Sequence, residues 1–168
     1  MKFLIVVDMQ NDFIDGALGS PHAAAILPRV IGKVQGFAGT VIFTRDTHGE
    51  DYLTTAEGRK LPVPHCIRET DGWQIAPALA PYAKTVVDKP TFGSTELPHL
   101  LAGYGAPVEA IELCGLCTDI CVISNAMLLK AAFPEAEITV DSQATAGVTP
   151  ESHETALAAM RAVQITVV

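Results

Sequence analysis

Residues 108–132 read VEAIELCGLCTDICVISNAMLLKAA, and the change of pattern inside this stretch decides the architecture. Val108–Leu113 is a short apolar run and reads as a strand. Asp119–Ala132 is long and rich in Leu, Ala and Ile, which reads as a helix, and Pro134 stands just beyond its end. Between them lies a tight segment, Cys114-Gly115-Leu116-Cys117-Thr118. A strand feeding a helix in this way is half of a parallel crossover unit.

The same alternation extends in both directions. Further strands are expected at Lys2–Val7, Thr40–Thr44, Thr85–Asp88, Glu137–Val140 and Gln164–Val168. They are continuous apolar runs rather than alternating ones, as strands covered on both faces should be. Helices are expected at Ala23–Val34, with apolar residues at 26, 27, 30, 31 and 34, at Thr95–Ala102 and at Pro150–Ala162. In the last of these Thr149 is placed to cap and Pro150 to start the helix. The pattern specifies a single α/β domain over residues 1–168, a doubly wound, mostly parallel sheet with helices on both faces. Its site is expected beyond the carboxyl ends of the strands.

Composition removes several function classes. Hydrophobic residues make up 49% of the 168 and charged ones 18%, so the chain is not a disordered one. Acidic residues outnumber basic ones 19 to 11, a net charge of −8, with no Lys/Arg cluster, so neither nucleic acid nor an anionic membrane is an expected partner. No apolar run approaches the roughly 20 residues of a membrane span. The opening run Phe3–Val7 ends at Asp8, too short for a signal peptide. Three of the four cysteines, Cys114, Cys117 and Cys121, crowd into one segment, unlike the disulfide framework of a secreted domain; a reducing cytoplasm is expected. No glycine-rich phosphate loop follows a strand and there is no Gly-x-Ser-x-Gly elbow, so no nucleotide cofactor is expected.

The residues at the strand ends carry chemistry. Asp8 follows the first strand, Asp46-Thr47-His48 the second, Lys89 the third, and Cys114 to Cys121 the fourth. Cys121 falls in the first turn of a helix, where the dipole and unpaired N–H groups favour a thiolate, so it is the expected nucleophile. A nearby Lys89 ammonium would lower its pKa further from the free value of about 8.5. Asp8 is suited to accept the thiol proton and return it to a leaving amine. Asp46, His48 and His65 could supply one carboxylate and two imidazoles to Zn, Mn or Fe, although by spacing alone surface or core histidines are the favoured reading. A thiolate metal site of Cys114, Cys117 and Cys121, or a redox pair of Cys114 and Cys117, is the competing use of the cysteines.

Together these segments resemble the isochorismatase-like cysteine hydrolases, and within them the nicotinamidase branch. The resemblance is carried by Asp8-Met9-Gln10-Asn11-Asp12-Phe13, Phe43-Thr44-Arg45-Asp46-Thr47-His48, Pro64-His65-Cys66, Asp88-Lys89 with Phe92, and Gly115-Leu116-Cys117-Thr118-Asp119-Ile120-Cys121-Val122. It implies a parallel sheet of six strands and a catalytic triad of Asp8, Lys89 and Cys121. It also implies a cis peptide before Cys117, with the N–H groups of Cys117 and Cys121 turned toward one oxyanion. The implied reaction is hydrolysis of a small primary amide, nicotinamide or a relative, through a Cys121 thioester. A divalent metal at Asp46, His48 and His65, pocket walls from Phe13 and Phe92, and a homo-oligomer of two or more subunits belong to the same expectation.

The sequence also departs from that branch. The Trp that often precedes the Pro-His-Cys segment is missing, Pro62 stands near its place, and Trp73 comes later. A further metal-binding histidine has no match between Glu50 and Lys60, which leaves its place to Asp51, Glu50 or water. His22, His99 and His153 read as solvated surface residues, Ser142 and Thr145 as rim residues near substrate, and Tyr52 and Trp73 as pocket or interface residues. Two other functions compete: vinyl-ether hydrolysis of the isochorismatase type, without cysteine or metal, and a non-catalytic binding protein on the same fold.

Overall fold

The computed structural model describes residues 1–168. Six parallel strands form one sheet: β1 (Lys2–Val7), β2 (Thr40–Asp46), β3 (Val86–Lys89), β4 (Ala110–Leu116), β5 (Glu137–Ala146) and β6 (Thr166–Val167), in the order β3-β2-β1-β4-β5-β6. The helices are α1 (Asn11–Ile14), α2 (Pro21–Gly36), α3 (Glu96–Ala102), α4 (Ile123–Ala132) and α5 (Pro150–Ala162). This is the doubly wound sheet expected from the alternation, and the strand order reverses between β1 and β4, which opens a crevice at their carboxyl ends.

Both faces of the sheet are covered, and β1 shows it residue by residue. Leu4 and Val6 pack with Val30 and Val34 of α2, whereas Phe3, Ile5 and Val7 pack with Leu97 of α3, Leu129 of α4 and Leu157 of α5. A central strand buried on both sides has no polar face, hence the unbroken apolar run. Ser20 caps α2 by accepting the Ala23 N–H, and Thr149 caps α5 in a reciprocal box with Ser152. No helix is long and apolar enough to cross a membrane.

Several boundaries differ from expectation for local reasons. Strand β2 runs on to Asp46 and β3 to Lys89, because their last residues pair with each other. Strand β4 continues to Leu116, so Cys114 lies inside it, and β6 shrinks to two residues. The helix expected from Asp119 begins instead as a π-type turn over Thr118–Val122, marked by the Val122 N–H bonding to the Cys117 carbonyl at 3.0 Å, and becomes α4 only at Ile123.

Strand β5 extends past Val140 through a bulge. Leu113 pairs with Val140 but Gly115 with Thr145, so residues 141–144 of β5 answer Cys114 alone. Asp141 closes this bulge: its Oδ1 accepts the N–H groups of Gln143 (2.9 Å) and Ala144 (3.2 Å). Its Oδ2 meets Lys33 Nζ at 2.9 Å and Arg29 at 3.4 Å, tying α2 to the sheet, while Lys33 also pairs with Glu112 of β4. Burial would raise the Asp141 pKa, but Lys33, the Gln143 N–H and Arg29 outweigh it and hold the carboxyl below its ordinary value.

A group with a depressed folded-state pKa stabilises the fold above its unfolded pKa and loses that contribution as pH falls through the folded value. Asp141→Asn keeps the acceptor for the bulge and removes the charge. It should cost about 1–2 kcal/mol in urea unfolding at pH 7, and the difference from wild type should shrink as pH falls below the ordinary aspartate value and vanish below the depressed folded one. A difference independent of pH would show that the charge is not what matters.

Candidate active site

The site forms where β1 and β4 separate. Gly115 of β4 has φ +113°, and a Cβ there would lie 2.1 Å from the Val7 carbonyl oxygen, so only glycine lets β4 press this closely on the end of β1. The next residue on β1's side, Asp8, also takes a left-handed conformation, φ +47°, and so does Cys66. Non-glycine residues adopt it at a cost of about 1–3 kcal/mol, and such strain gathers at functional sites. Here it turns the Asp8 carboxylate into the crevice.

Asp8 and Lys89 are both fully buried. Thr44 Oγ1–H donates to Asp8 Oδ1 at 2.6 Å, and Lys89 Nζ lies 2.6 Å from Asp8 Oδ2. Oδ2 is the one buried side-chain oxygen without a well-aligned hydrogen bond. Lys89 Nζ also donates to Asp46 Oδ1 (3.3 Å) and the Thr91 carbonyl (3.0 Å), and it lies 3.5 Å from Cys121 Sγ. Burial and Asp46 push the Asp8 pKa up, and Lys89 counters without prevailing. For Lys89 burial acts downward, but Asp8, Cys121 and Asp46 carry its pKa well above the usual lysine value.

The expectation of a thiolate at Cys121 is corrected. The side chain is only 4% exposed, and burial together with the Asp8 charge pushes the thiol pKa well up, against the pull of Lys89. Burial is the larger cause, and the ammonium that would counter it is shared with two carboxylates. The resting nucleophile is therefore a thiol with its base beside it.

The first segment of the sequence also builds the opposite wall. Gln10 clamps the end of β2: its Nε2 donates to the Asp46 carbonyl (2.8 Å) and the Trp73 carbonyl (2.9 Å), and its Oε1 accepts the Asp46 N–H (2.7 Å). Asp12 Oδ2 accepts the Cys66 N–H at 2.7 Å and so fixes the loop that carries His65. The Leu116–Cys117 peptide is cis, as the resemblance implied.

Asp46, His48 and His65 come together as expected, and a fourth residue joins them. The ligand atoms of Asp46, His48, Glu57 and His65 all lie within 4.8 Å of one another. Glu57 Oε1 sits 3.6 Å from both His48 Nε2 and His65 Nε2, while Asp46 Oδ2 lies 2.8 Å and 3.5 Å from them. The fourth place thus belongs to Glu57; Glu50 and Asp51, considered for it, are exposed. His65 Nδ1 hydrogen-bonds the Val63 carbonyl at 2.8 Å. A carbonyl requires the proton on Nδ1, which leaves the Nε2 lone pair aimed into the cluster. Two carboxylates and two such imidazoles suit a divalent ion of the zinc, manganese or iron type. Tyr52 packs on both rings, with centroids 4.8 Å and 5.0 Å away, and its hydroxyl donates to the Leu61 carbonyl.

A narrow apolar cavity of about 40 Å³ joins this cluster to the cysteine, well below the few hundred Å³ usual for small-molecule sites. Cys117 and Cys121 line it, Asp46, Glu57 and His65 bound one end, and Phe13 and Phe92 wall it as expected. Phe13 is buried, whereas Phe92 is 42% exposed at the mouth. Leu18, Leu61 and Ile120 complete the wall; Ile120 lies in the nucleophile segment, whereas Leu18 and Leu61 belong to no motif and could be found only by folding the chain.

Other expectations change. Cys114 packs in the core on the α2 side and Cys121 in the core on the other side, so no thiolate cluster forms. Trp73 lies under the Arg45 guanidinium, 3.4 Å from the ring centroid, and donates to Thr47 Oγ1, away from the cavity. His153 is not a solvated surface residue: it is half-buried, with Nδ1 2.8 Å from Thr118 Oγ1 beside the nucleophile turn. Ser142 and Thr145 bond the Val168 and Asp141 carbonyls and do not line this cavity.

Comparison with known proteins agrees with this geometry. The isochorismatase domain family matches residues 2–168. A nicotinamidase/pyrazinamidase of Mycobacterium tuberculosis is 28% identical over 187 aligned residues, covering 100% of this chain and 98% of that protein. The crystal structure of nicotinamidase/pyrazinamidase PncA from Bacillus subtilis superposes with a TM-score of 0.85 at 30% identity, covering 99% of this chain and 98% of that one. Pyrazinamidase of Pyrococcus horikoshii, solved in complex with zinc, gives 0.82 at 28% identity, covering 99% and 98%. The chain belongs to the isochorismatase domain family.

Proposed function

We propose that the protein is a cysteine hydrolase of small primary amides, with nicotinamide or pyrazinamide as the substrate class, and that Asp8, Lys89 and Cys121 are its catalytic triad. The observation that carries this reading is the single buried contact set at Lys89 Nζ, 2.6 Å from Asp8 Oδ2 and 3.5 Å from Cys121 Sγ. A binding protein has no need to bury a base, a cation and a nucleophile together at a cavity wall. The names of the relatives in M. tuberculosis and B. subtilis support hydrolysis at an amide C–N bond.

The steps follow from the protonation states. Asp8 Oδ2 takes the Cys121 thiol proton as Sγ attacks the amide carbonyl carbon, which spares the site a free buried thiolate. The resulting oxyanion is held by the backbone N–H groups of Cys117 and Cys121, an arrangement typically worth about 3–4 kcal/mol per donor. Asp8 then gives its proton to the amide nitrogen and the C–N bond breaks, releasing ammonia and leaving an acyl thioester on Cys121. Water adds to that thioester with Asp8 as base, the C–S bond breaks, the acid departs and the thiol is restored. Throughout, Lys89 balances the charge that moves between Asp8 and sulfur. Phe13 and Phe92 cover a flat ring from water.

Asp46, His48, Glu57 and His65 would hold the metal. When bound, it supplies a Lewis-acid anchor for a ring nitrogen or a water molecule at the cavity end. The zinc complex of the Pyrococcus relative favours zinc among the ions the donor set suits.

Ammonia release from nicotinamide, pyrazinamide, aliphatic amides and N-carbamoyl amides tests the reading. Wild type should release ammonia from the pyridine and pyrazine amides, and Cys121→Ala should release none while remaining folded. Activity retained in Cys121→Ala would sink the mechanism, and release from the other amides alone would discard the ring-amide substrate. Asp8→Asn should lower kcat by at least about 100-fold, the low end for acid–base catalysis. Glu57→Ala should weaken zinc binding at least about tenfold in competition with a chelator. Unchanged affinity would remove Glu57 from the ligand set.

A further inference from the structure

Asn125 lies on α4, one helical turn beyond Cys121, and is fully buried. Its Nδ2 donates to the Cys121 carbonyl at 2.8 Å and to the Phe92 carbonyl at 3.2 Å, and its Oδ1 accepts the Ser94 N–H at 3.0 Å. One side chain therefore ties the backbone of the nucleophile to the loop that carries the cavity's outer wall. A buried amide is costly unless its groups are bonded, and asparagine is an indifferent helix former, so local propensity does not explain the residue here. Its three bonds fall on two separate segments, and both of those segments touch the cavity.

The loop is held from two more directions. Gly93 seats it on α4, where a Cβ would meet Leu128 Cδ1 at 2.7 Å and Ser124 Cβ at 3.4 Å. At its start, the Thr91 carbonyl accepts from Lys89 Nζ. The Phe92 ring itself is 42% exposed, so packing around the ring does not fix its place. Its position comes from the backbone on either side of it, and Asn125 is the group that refers this backbone to Cys121.

We propose that Asn125 is a positioning residue that sets the distance between the Phe92 wall and Cys121, and thereby gives the site its preference for a flat aromatic acyl group over a small aliphatic one. The proposal deepens the reading of this cavity as the acyl site, and its test does not depend on turnover. The probes are iodoacetamide and its N-phenyl derivative, each of which alkylates sulfur with loss of iodide. The rate at Cys121 is followed by peptide mass spectrometry, which separates it from Cys117.

Wild type should favour the N-phenyl reagent. Asn125→Thr keeps a hydroxyl able to bond the carbonyl one turn back, but cannot reach Phe92 and Ser94. It should lower the ratio of the two rates about fivefold, the scale of one lost aromatic contact. Phe92→Ala should lower it equally, and the double variant should fall no further. Should Asn125→Thr fail to fold, Gly93→Val pushes the same loop off its seat on α4 and should produce the same loss. A ratio unchanged in these variants while the melting temperature falls would overturn the proposal, as would a wild type without aromatic preference. Ammonia release by wild type, measured in parallel, bears on the hydrolase reading alone.

Discussion

The site is organised around one buried ammonium. Lys89 ends β3 with no exposed surface, and its Nζ lies 2.6 Å from Asp8 and 3.3 Å from Asp46, residues at the ends of the two strands that follow in the sheet order. Charges this close attract by about 5 kcal/mol each at an effective dielectric of about 20, which offsets a desolvation cost of several kcal/mol per ion. The attraction draws the ends of β1, β2 and β3 to one point. It also couples the two halves of the site, since Asp8 faces Cys121 and Asp46 faces the histidines. Because Lys89 shares its charge between them, it does not leave Cys121 a thiolate, and the proton stays on sulfur until Asp8 removes it.

The remaining charge is arranged to suit a cation. Asp46 and Glu57 bring two carboxylates to a largely buried pocket end that they share with the His48 and His65 imidazoles. Burial raises Glu57 above the ordinary carboxylate pKa, with Asp46 adding to the rise, whereas hydrogen bonds from His48 and His65 and the Lys89 charge hold Asp46 well below it against its own burial. A divalent ion held between the two carboxylates would relieve the raised Glu57 carboxyl.

Much of this was legible in the sequence where short-range pattern meets chemistry. The unbroken apolar run of Lys2–Val7 marked β1 as a strand covered on both faces, and the rule that sites follow strand ends picked out Asp8, Asp46, Lys89 and Cys121. What escaped was set by the third dimension. Glu57 lies in a segment without periodicity and meets His48 and His65 only because the Tyr52 turn folds back over them. The π-type turn at Thr118–Val122 depends on a bond from Val122 to Cys117 that no local propensity signals. The extension of β5 follows from Asp141 satisfying the backbone of a bulge, and the burial of His153 from a bond to Thr118 on another element. The pKa of Cys121 reversed its expected direction for a related reason: sequence shows which charges are near, but not how they are already spent.

Lys89 neutralises two buried carboxylates, and a double-mutant cycle in urea at pH 7 measures that directly. Lys89→Met should destabilise the fold by about 3–5 kcal/mol, because it leaves Asp8 buried without its counter-charge. Adding Asp8→Asn to that background should recover a large part of the loss, since the uncompensated charge is then gone. Additive losses in the double variant would mean that the two residues do not act as a pair, and would contradict the account.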